Sequence, residues 1–264
     1  MESAKINGRG PSRFAGNSGF KGMIVMKVSA TALHILPGKT RELLDFACDI
    51  REGRRAEHEG SARRLGISAE RYWVETTNEG DVLIMYLEGG DLEKTNRLFG
   101  VSDDPYDLWF QTRMRGITGI DLGKPEAAGP SELVFESPVL RPEVPAGALA
   151  TAMPILPGRK GEWLEFIGEL SSSRMGEYCA YLYRYGFTRE RFFLQYTPHG
   201  LMAILYVEGK NPAGAIASFA RFHHPFDAWM REEMLFLNGI DFIRRASAPD
   251  LVLDWKAEPK REAA

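Results

Sequence analysis

Apolar and polar positions fall into two kinds of spacing along this chain, and they recur in a fixed order. Residues 24–35 (IVMKVSATALHI) are apolar and β-branched, which predicts a strand ended by Pro37-Gly38. Over 39–65 the apolar positions Leu43, Leu44, Phe46, Ala47 and Ile50 return at helical spacing, with charges filling the other face. Arg71–Thr77 and Val82–Glu88 then flank Asn-Glu-Gly-Asp, the length and composition of a hairpin turn. A second helical stretch starts from Asp91 as N-cap, breaks near Gly100 and restarts at Pro105. Glu132–Glu136 reads as a short closing strand. The order is βαββαβ, the split βαβ arrangement of ferredoxin-like domains.

The same order then begins again. Ile-Leu-Pro-Gly at 35–38 recurs at 155–158, a shift of 120 residues, and the shift holds without a gap from there to Gly-Ile-Asp at 119–121 and 239–241. It carries Pro-Tyr-Asp-Leu-Trp (105–109) onto Pro-Phe-Asp-Ala-Trp (225–229), Glu70-Arg71 onto Glu190-Arg191, and Tyr86 onto Tyr206. Roughly 27 of about 90 positions are identical, a register that chance similarity would not hold. The closing strand of the second copy, Asp250–Asp254, follows after a two-residue slip. The expected organisation is an N-terminal tail (1–22), repeat one (23–137), a Pro-rich linker (138–147), repeat two (148–256) and a C-terminal tail (257–264). The tails are expected to be disordered and the linker extended.

Two helices cover one face of such a sheet and leave the other bare, and a half-apolar face must be buried against something. The second copy is the obvious cover. The expected fold is therefore α+β: two tandem ferredoxin-like repeats packed as an intramolecular, pseudo-dimeric α+β barrel.

Composition narrows the classes of partner. The 264 residues carry 33 Lys+Arg against 36 Asp+Glu, a net charge of −3. That balance lacks the basic excess on which nucleic-acid binding rests. No run approaches the ~18 apolar residues of a membrane span, and the first twenty have no apolar signal core. Two cysteines, Cys48 and Cys179, are too few for a disulfide framework and suit a reducing, cytoplasmic setting. The expected partner is a small molecule, with neither nucleic acid nor membrane, and further copies of the chain in a homo-oligomer are the one protein partner left open.

Strand alternation sorts the side chains between the helix-packed and inter-sheet faces. Leu83, Met85 and Leu87, with Tyr72 and Val74, suit the helices. Arg71, Trp73, Glu75, Val82, Ile84, Tyr86 and Glu88 then face the interior, as do Arg191, Phe193, Gln195, Ile204, Tyr206 and Glu208 in the second copy. His34 joins them if Leu33 and Ile35 pack on the helices. A one-residue slip would invert the whole set. In one reading these groups line an apolar pocket with convergent polar groups. Arg71 and Arg191 would hold a carboxylate or enolate, with Trp73, Phe193 and Gln195 as further ligand contacts. Tyr86 and Tyr206 would donate to an oxyanion, and His34 or Glu75 would move a proton. In the other reading Arg71 pairs with Glu88, and Arg191 with Glu208, across each hairpin.

His223-His224-Pro225 also admits two readings. The histidines could ligate a metal or haem or serve as a base. Alternatively, His224 caps a helix whose first residue is Pro225, as Asp104-Pro105 does in the first copy. No metal site is expected, because no other His or Cys stands at ligand spacing. No cofactor is implied, and haem is the one that this motif would allow. Tyr178, Tyr181, Tyr183 and Tyr185 are expected to finish a helix and its packing, and Trp109 and Trp229 to be core.

The ordered motifs resemble the dimeric α+β barrel superfamily fused into one chain, over roughly residues 24–136 and 145–255. The Ile-Leu-Pro-Gly-Lys/Arg opening, the long charged helix and His-Pro-Phe-Asp-Ala-Trp (224–229) are similar to small uncharacterised single-copy proteins of the DUF6176 type. The superfamily holds cofactor-free monooxygenases, haem-degrading enzymes, lactone isomerases and members without known activity. The resemblance therefore implies ligand binding in a barrel cavity, with a cofactor-independent monooxygenase or an isomerase-like enzyme as the catalytic versions. A non-catalytic ligand sensor or a structural dimerisation module is the alternative.

Overall fold

In the computed structural model, residues 26–124, 128–140, 147–243 and 248–258 are described. The tail at 1–22, most of the linker and the end of the C-terminal tail lie outside them. The first half runs β1 (Lys27–His34), α1 (Thr40–Cys48), α2 (Arg55–Leu65), β2 (Ile67–Thr77), β3 (Gly80–Gly89), α3 (Leu92–Gly100), α4 (Pro105–Thr118) and β4 (Ser131–Glu136). The second runs β5 (Gly147–Ile155), α5 (Lys160–Leu170), α6 (Met175–Tyr185), β6 (Phe187–Thr197), β7 (Gly200–Gly209), α7 (Pro212–Phe219), α8 (Pro225–Asn238) and β8 (Asp250–Lys256). Among the described residues, no helix is long and apolar enough to cross a membrane.

The single long helix expected over 39–65 is two helices. Residues 49–53 make one π-helical turn, in which the Arg54 amide reaches the Asp49 carbonyl at 2.7 Å. The second repeat breaks at the same place, where the Ser171 and Ser172 hydroxyls both donate to the Gly168 carbonyl and compete for backbone bonds. Both bends bring an arginine over the following tryptophan, Arg54 at 4.3 Å from the Trp109 ring centre and Arg174 at 3.7 Å from Trp229. Both tryptophans are therefore half-buried beneath a cation rather than enclosed in the core. Each second helix ends on a glycine in the left-handed region, Gly66 (φ 76°) or Gly186 (φ 69°), which turns the chain directly into the next strand.

Two four-stranded antiparallel sheets result, ordered β1-β3-β2-β8 and β4-β6-β7-β5. This order corrects one expectation. Neither repeat closes its own sheet: β4 pairs with β6 of the second repeat and β8 pairs with β2 of the first. The two-residue slip appears in the register, since Arg191 stands opposite Glu136 and Arg71 opposite Asp254. The fold is the expected α+β pair of sheets with its closing strands exchanged.

The two sheets meet through a layer of small and aromatic side chains. Ala30, Ala32, Ala150 and Ala152 make room for Trp73, Phe193, Tyr86 and Tyr206, all of them buried. The strand phase read from alternation is the observed one. Separate clusters lie between each sheet and its own helices, around Phe46, Tyr72 and Met114 in the first repeat and around Trp163, Tyr178 and Phe192 in the second. Each enclosed apolar side chain contributes about 1.5–3 kcal/mol of transfer free energy.

Candidate functional site

The space between the sheets, where the sequence directs attention first, is filled by side chains that bind one another. Tyr86 and Tyr206 stack face to face with ring centres 3.8 Å apart and planes 5° from parallel. Each phenol donates to the glutamate two residues on in its own strand, Tyr86 to Glu88 and Tyr206 to Glu208, both at 2.7 Å. The buried arginines cross over. Arg71 donates to the Tyr206 oxygen and to Asp254 (2.8 Å) and lies 3.6 Å from Glu208. Arg191 donates to the Tyr86 oxygen and to Glu136 (2.9 Å) and lies 3.4 Å from Glu88. The ion pairs of these arginines are thus not within each hairpin, as the second of the two readings had them, but between opposite repeats. Burial raises both phenols far above the ordinary tyrosine range.

Glu75 and Gln195 occupy equivalent positions and do equivalent work. Glu75 accepts from the Ala152 amide (2.9 Å) and from the Thr151 hydroxyl (3.0 Å). Gln195 accepts from the Ala32 amide (2.8 Å) and donates to the carbonyls of Ala32 (3.2 Å) and Ala128 (2.7 Å). Each therefore satisfies the first strand of the other repeat, and in the inter-sheet layer Trp73 meets Tyr206 edge-on as Phe193 meets Tyr86. His34 ends β1 exposed, its ring 5.9 Å from that of His199. His223 is exposed, and exposed His224 caps α8 by accepting from the Phe226 amide at 3.2 Å. Asp104 caps α4 in the same way from the Tyr106 amide at 2.9 Å. Among the described residues no group of three or more His, Cys, Asp and Glu is placed to hold a metal ion.

The open space lies on the other side of the first sheet. Between it and α2, α3 and α4 is a cavity of about 310 Å³. Its walls include Leu65, Met85, Leu87, Leu92, Phe99 and Phe110, and exposed Asn96 and Lys124 stand at its rim. Three polar groups converge in it. Glu70, on β2, points the same way as Tyr72 and Val74 and is buried among the helices. His58 projects from α2, with its Nδ1 3.0 Å from the Tyr106 hydroxyl. Its Nε2 is buried without a hydrogen bond, 3.5 Å from Glu70 Oε2. The exchanged strand contributes Trp255, which stands opposite Glu70 and meets the His58 ring edge-on at 5.0 Å.

Burial dominates the electrostatics. Desolvation pushes the Glu70 carboxyl up to about 8 and the His58 imidazole down to about 4. Both shifts favour the uncharged forms, a carboxylic acid beside a neutral imidazole. Such a pair can donate to, accept from or exchange a proton with a molecule in the cavity.

No family model matches the chain, and neither does any curated protein. Among the solved structures similar to it are two at low identity. One is described as a "putative monooxygenase" from Fusobacterium nucleatum subsp. nucleatum, at 9% identity and a TM-score of 0.48, covering 89% of this chain and 99% of that one. The other is an anthrone oxidase-like protein, at 13% identity and a TM-score of 0.48, covering 90% and 96%. Neither likeness bears on the reaction, and the finer resemblance to DUF6176-type proteins finds no match.

The sequence reading missed His58, Glu70 and Tyr106. One signal was present: Glu70 falls on the helix-facing phase of β2, in line with Tyr72 and Val74, which alternation assigns to the core. A carboxylate there needs a partner or a purpose.

Proposed function

We propose that the protein binds a small, partly apolar molecule in the first-repeat cavity, held by apolar walls and oriented by Glu70 and His58. The second repeat serves as the structural counterpart that completes the barrel. The observation that supports this reading most directly is the buried Nε2 of His58, which has no hydrogen-bond partner and lines the same cavity as the uncharged Glu70 carboxyl. An unpaired buried polar atom costs about 1–3 kcal/mol, and a ligand group that pairs with it recovers that cost.

A catalytic version of the same site is proton transfer. It is favoured by one observation: burial moves Glu70 and His58 in opposite directions, so that a proton can pass between ligand and carboxyl near neutral pH. On this reading Glu70 is the acid–base group and His58 the positioning partner.

Native mass spectrometry of protein purified from its own source tests the binding reading. The expected result is a retained small molecule that is lost from a His58→Phe, Glu70→Gln double variant of unchanged fold. Equal retention by that variant places the molecule elsewhere and overturns the proposal.

A further inference from the structure

The second repeat shows what fits the site of the first. With the 120-residue shift, Tyr181 takes the place of Ser61. Around its ring stand Tyr178, Tyr185, Phe187, Phe219 and Phe226, with centres 5.1–5.9 Å away. Its hydroxyl donates to Glu190 at 3.4 Å, beside the 2.7 Å bond from Tyr178. The equivalents of these neighbours in the first repeat are His58, Leu65, Ile67, Phe99, Tyr106 and Glu70, and every one of them lines the cavity. Ser61 cannot fill that space, and its hydroxyl turns away to Asp107. The cavity of the first repeat is therefore the volume that a phenol ring occupies in the second.

We infer that the cavity takes a phenolic ligand, which lays its ring where Tyr181 lies in the second repeat and sets its hydroxyl against the Glu70 carboxyl. This rests on the reading of the cavity as a ligand site and adds the chemical class. Three observations favour a phenol over a plain hydrocarbon or an anion. Glu70 accepts no side-chain hydrogen bond among the described residues, whereas Glu190 accepts two from phenols. His58 Nε2 offers a second polar contact at 3.5 Å from the Glu70 oxygen, within reach of the same hydroxyl. A carboxylate ligand would bring a negative charge into a buried site whose lining holds no Lys or Arg except Lys124 at the exposed rim.

The test uses 4-methylphenol, which is the tyrosine side chain itself, with toluene and benzoate as controls, each titrated into the full chain by calorimetry. The expected result is that 4-methylphenol binds about tenfold more tightly than toluene, the worth of one hydrogen bond to a buried carboxyl, and that benzoate does not bind. Ser61→Tyr is expected to fill the cavity from within, abolishing binding while raising the melting temperature. Ser61→Phe serves if the tyrosine variant does not fold. Glu70→Gln should reduce the preference for 4-methylphenol over toluene. Equal binding of toluene and 4-methylphenol, or binding unaffected at Ser61, overturns the inference. If 4-methylphenol fails to bind while a different retained molecule is lost from the His58, Glu70 variant, the phenolic class falls and the ligand site stands. If nothing is retained and nothing binds, both fall.

Discussion

The two repeats share strands, helices, caps and the crossed arginine clamp, and they differ most under the helices. In the second repeat Tyr178, Tyr181, Tyr185, Phe187 and Phe219 close over Glu190 and satisfy it. In the first, the corresponding His58, Ser61, Leu65, Ile67 and Phe99 leave a cavity of about 310 Å³ over Glu70. A buried carboxyl at this position is therefore not a fault of the fold. It is a common feature that one half supplies with internal donors and the other leaves open.

The largest expected effect lies in the filled half. Tyr181→Ala should cost about 3–5 kcal/mol, as a large-to-small change in a packed core that also removes a donor from Glu190. Ser61→Ala at the equivalent place should cost less, about 1–3 kcal/mol, since it empties no packed volume and loses only the hydrogen bond to buried Asp107. Chemical denaturation of both variants measures the difference, and comparable losses would show that the first repeat is packed as tightly as the second. Next comes the shared clamp. Arg71→Leu and Arg191→Leu should each lose about 3 kcal/mol, because removing one member strands buried acceptors. The two losses should agree within about 1 kcal/mol, and a marked inequality would break the symmetry of the inter-sheet layer.

Acidity separates the halves further. The folded state holds a proton on Glu70 up to about 8, against an ordinary value of 4.5, so it binds more protons than the unfolded chain between those limits. The stability from this group is full below pH ~4.5 and declines as pH rises towards 8. His58 is lowered from 6.5 to about 4, so its contribution is present above 6.5 and lost as pH falls through that window. The two slopes oppose each other from about 4.5 to 6.5, and the net loss in the first repeat falls between about 6.5 and 8. In the second repeat Glu190 reaches only about 7, because Tyr178 and Tyr181 donate to it, and no histidine opposes it. Glu70→Gln should therefore gain stability over the parent chain at pH 8–9 by more than Glu190→Gln does, as urea titrations at each pH would show. A larger gain for Glu190→Gln would reverse the assignment of the open site. The smallest effect is at the caps: His224→Ala should cost about 1 kcal/mol or less, read as a small fall in melting temperature.

The fold was legible because its determinants are local and doubled. Ile-Leu-Pro-Gly, the Asn-Glu-Gly-Asp turn and the Asp/His-Pro helix starts act within a few residues, and each occurs in both copies in one form or another. Alternation correctly directed Arg71, Trp73 and Tyr86 between the sheets. It could not say that Tyr86 would meet Tyr206, or that Arg71 would reach past its own hairpin to Glu208, because those contacts depend on how two sheets face each other. The exchange of β4 and β8 was hidden for the same reason, since strand composition does not choose between two equivalent edges. The cavity was written in the differences between the copies, not in their identities. Ser61 against Tyr181 and Leu65 against Tyr185 mark lost volume, and Glu70 against Glu190 marks the carboxyl that stayed beneath it.

Because β4 completes the second sheet and β8 the first, the halves are interlocked like the links of a clasp. Neither could be cut free as a stand-alone module without leaving an open edge in the other. Trp255, near the far end of the chain, is also part of the wall around His58. Shortening the chain before residue 250 would thus remove a ring that packs against a side chain nearly 200 positions earlier.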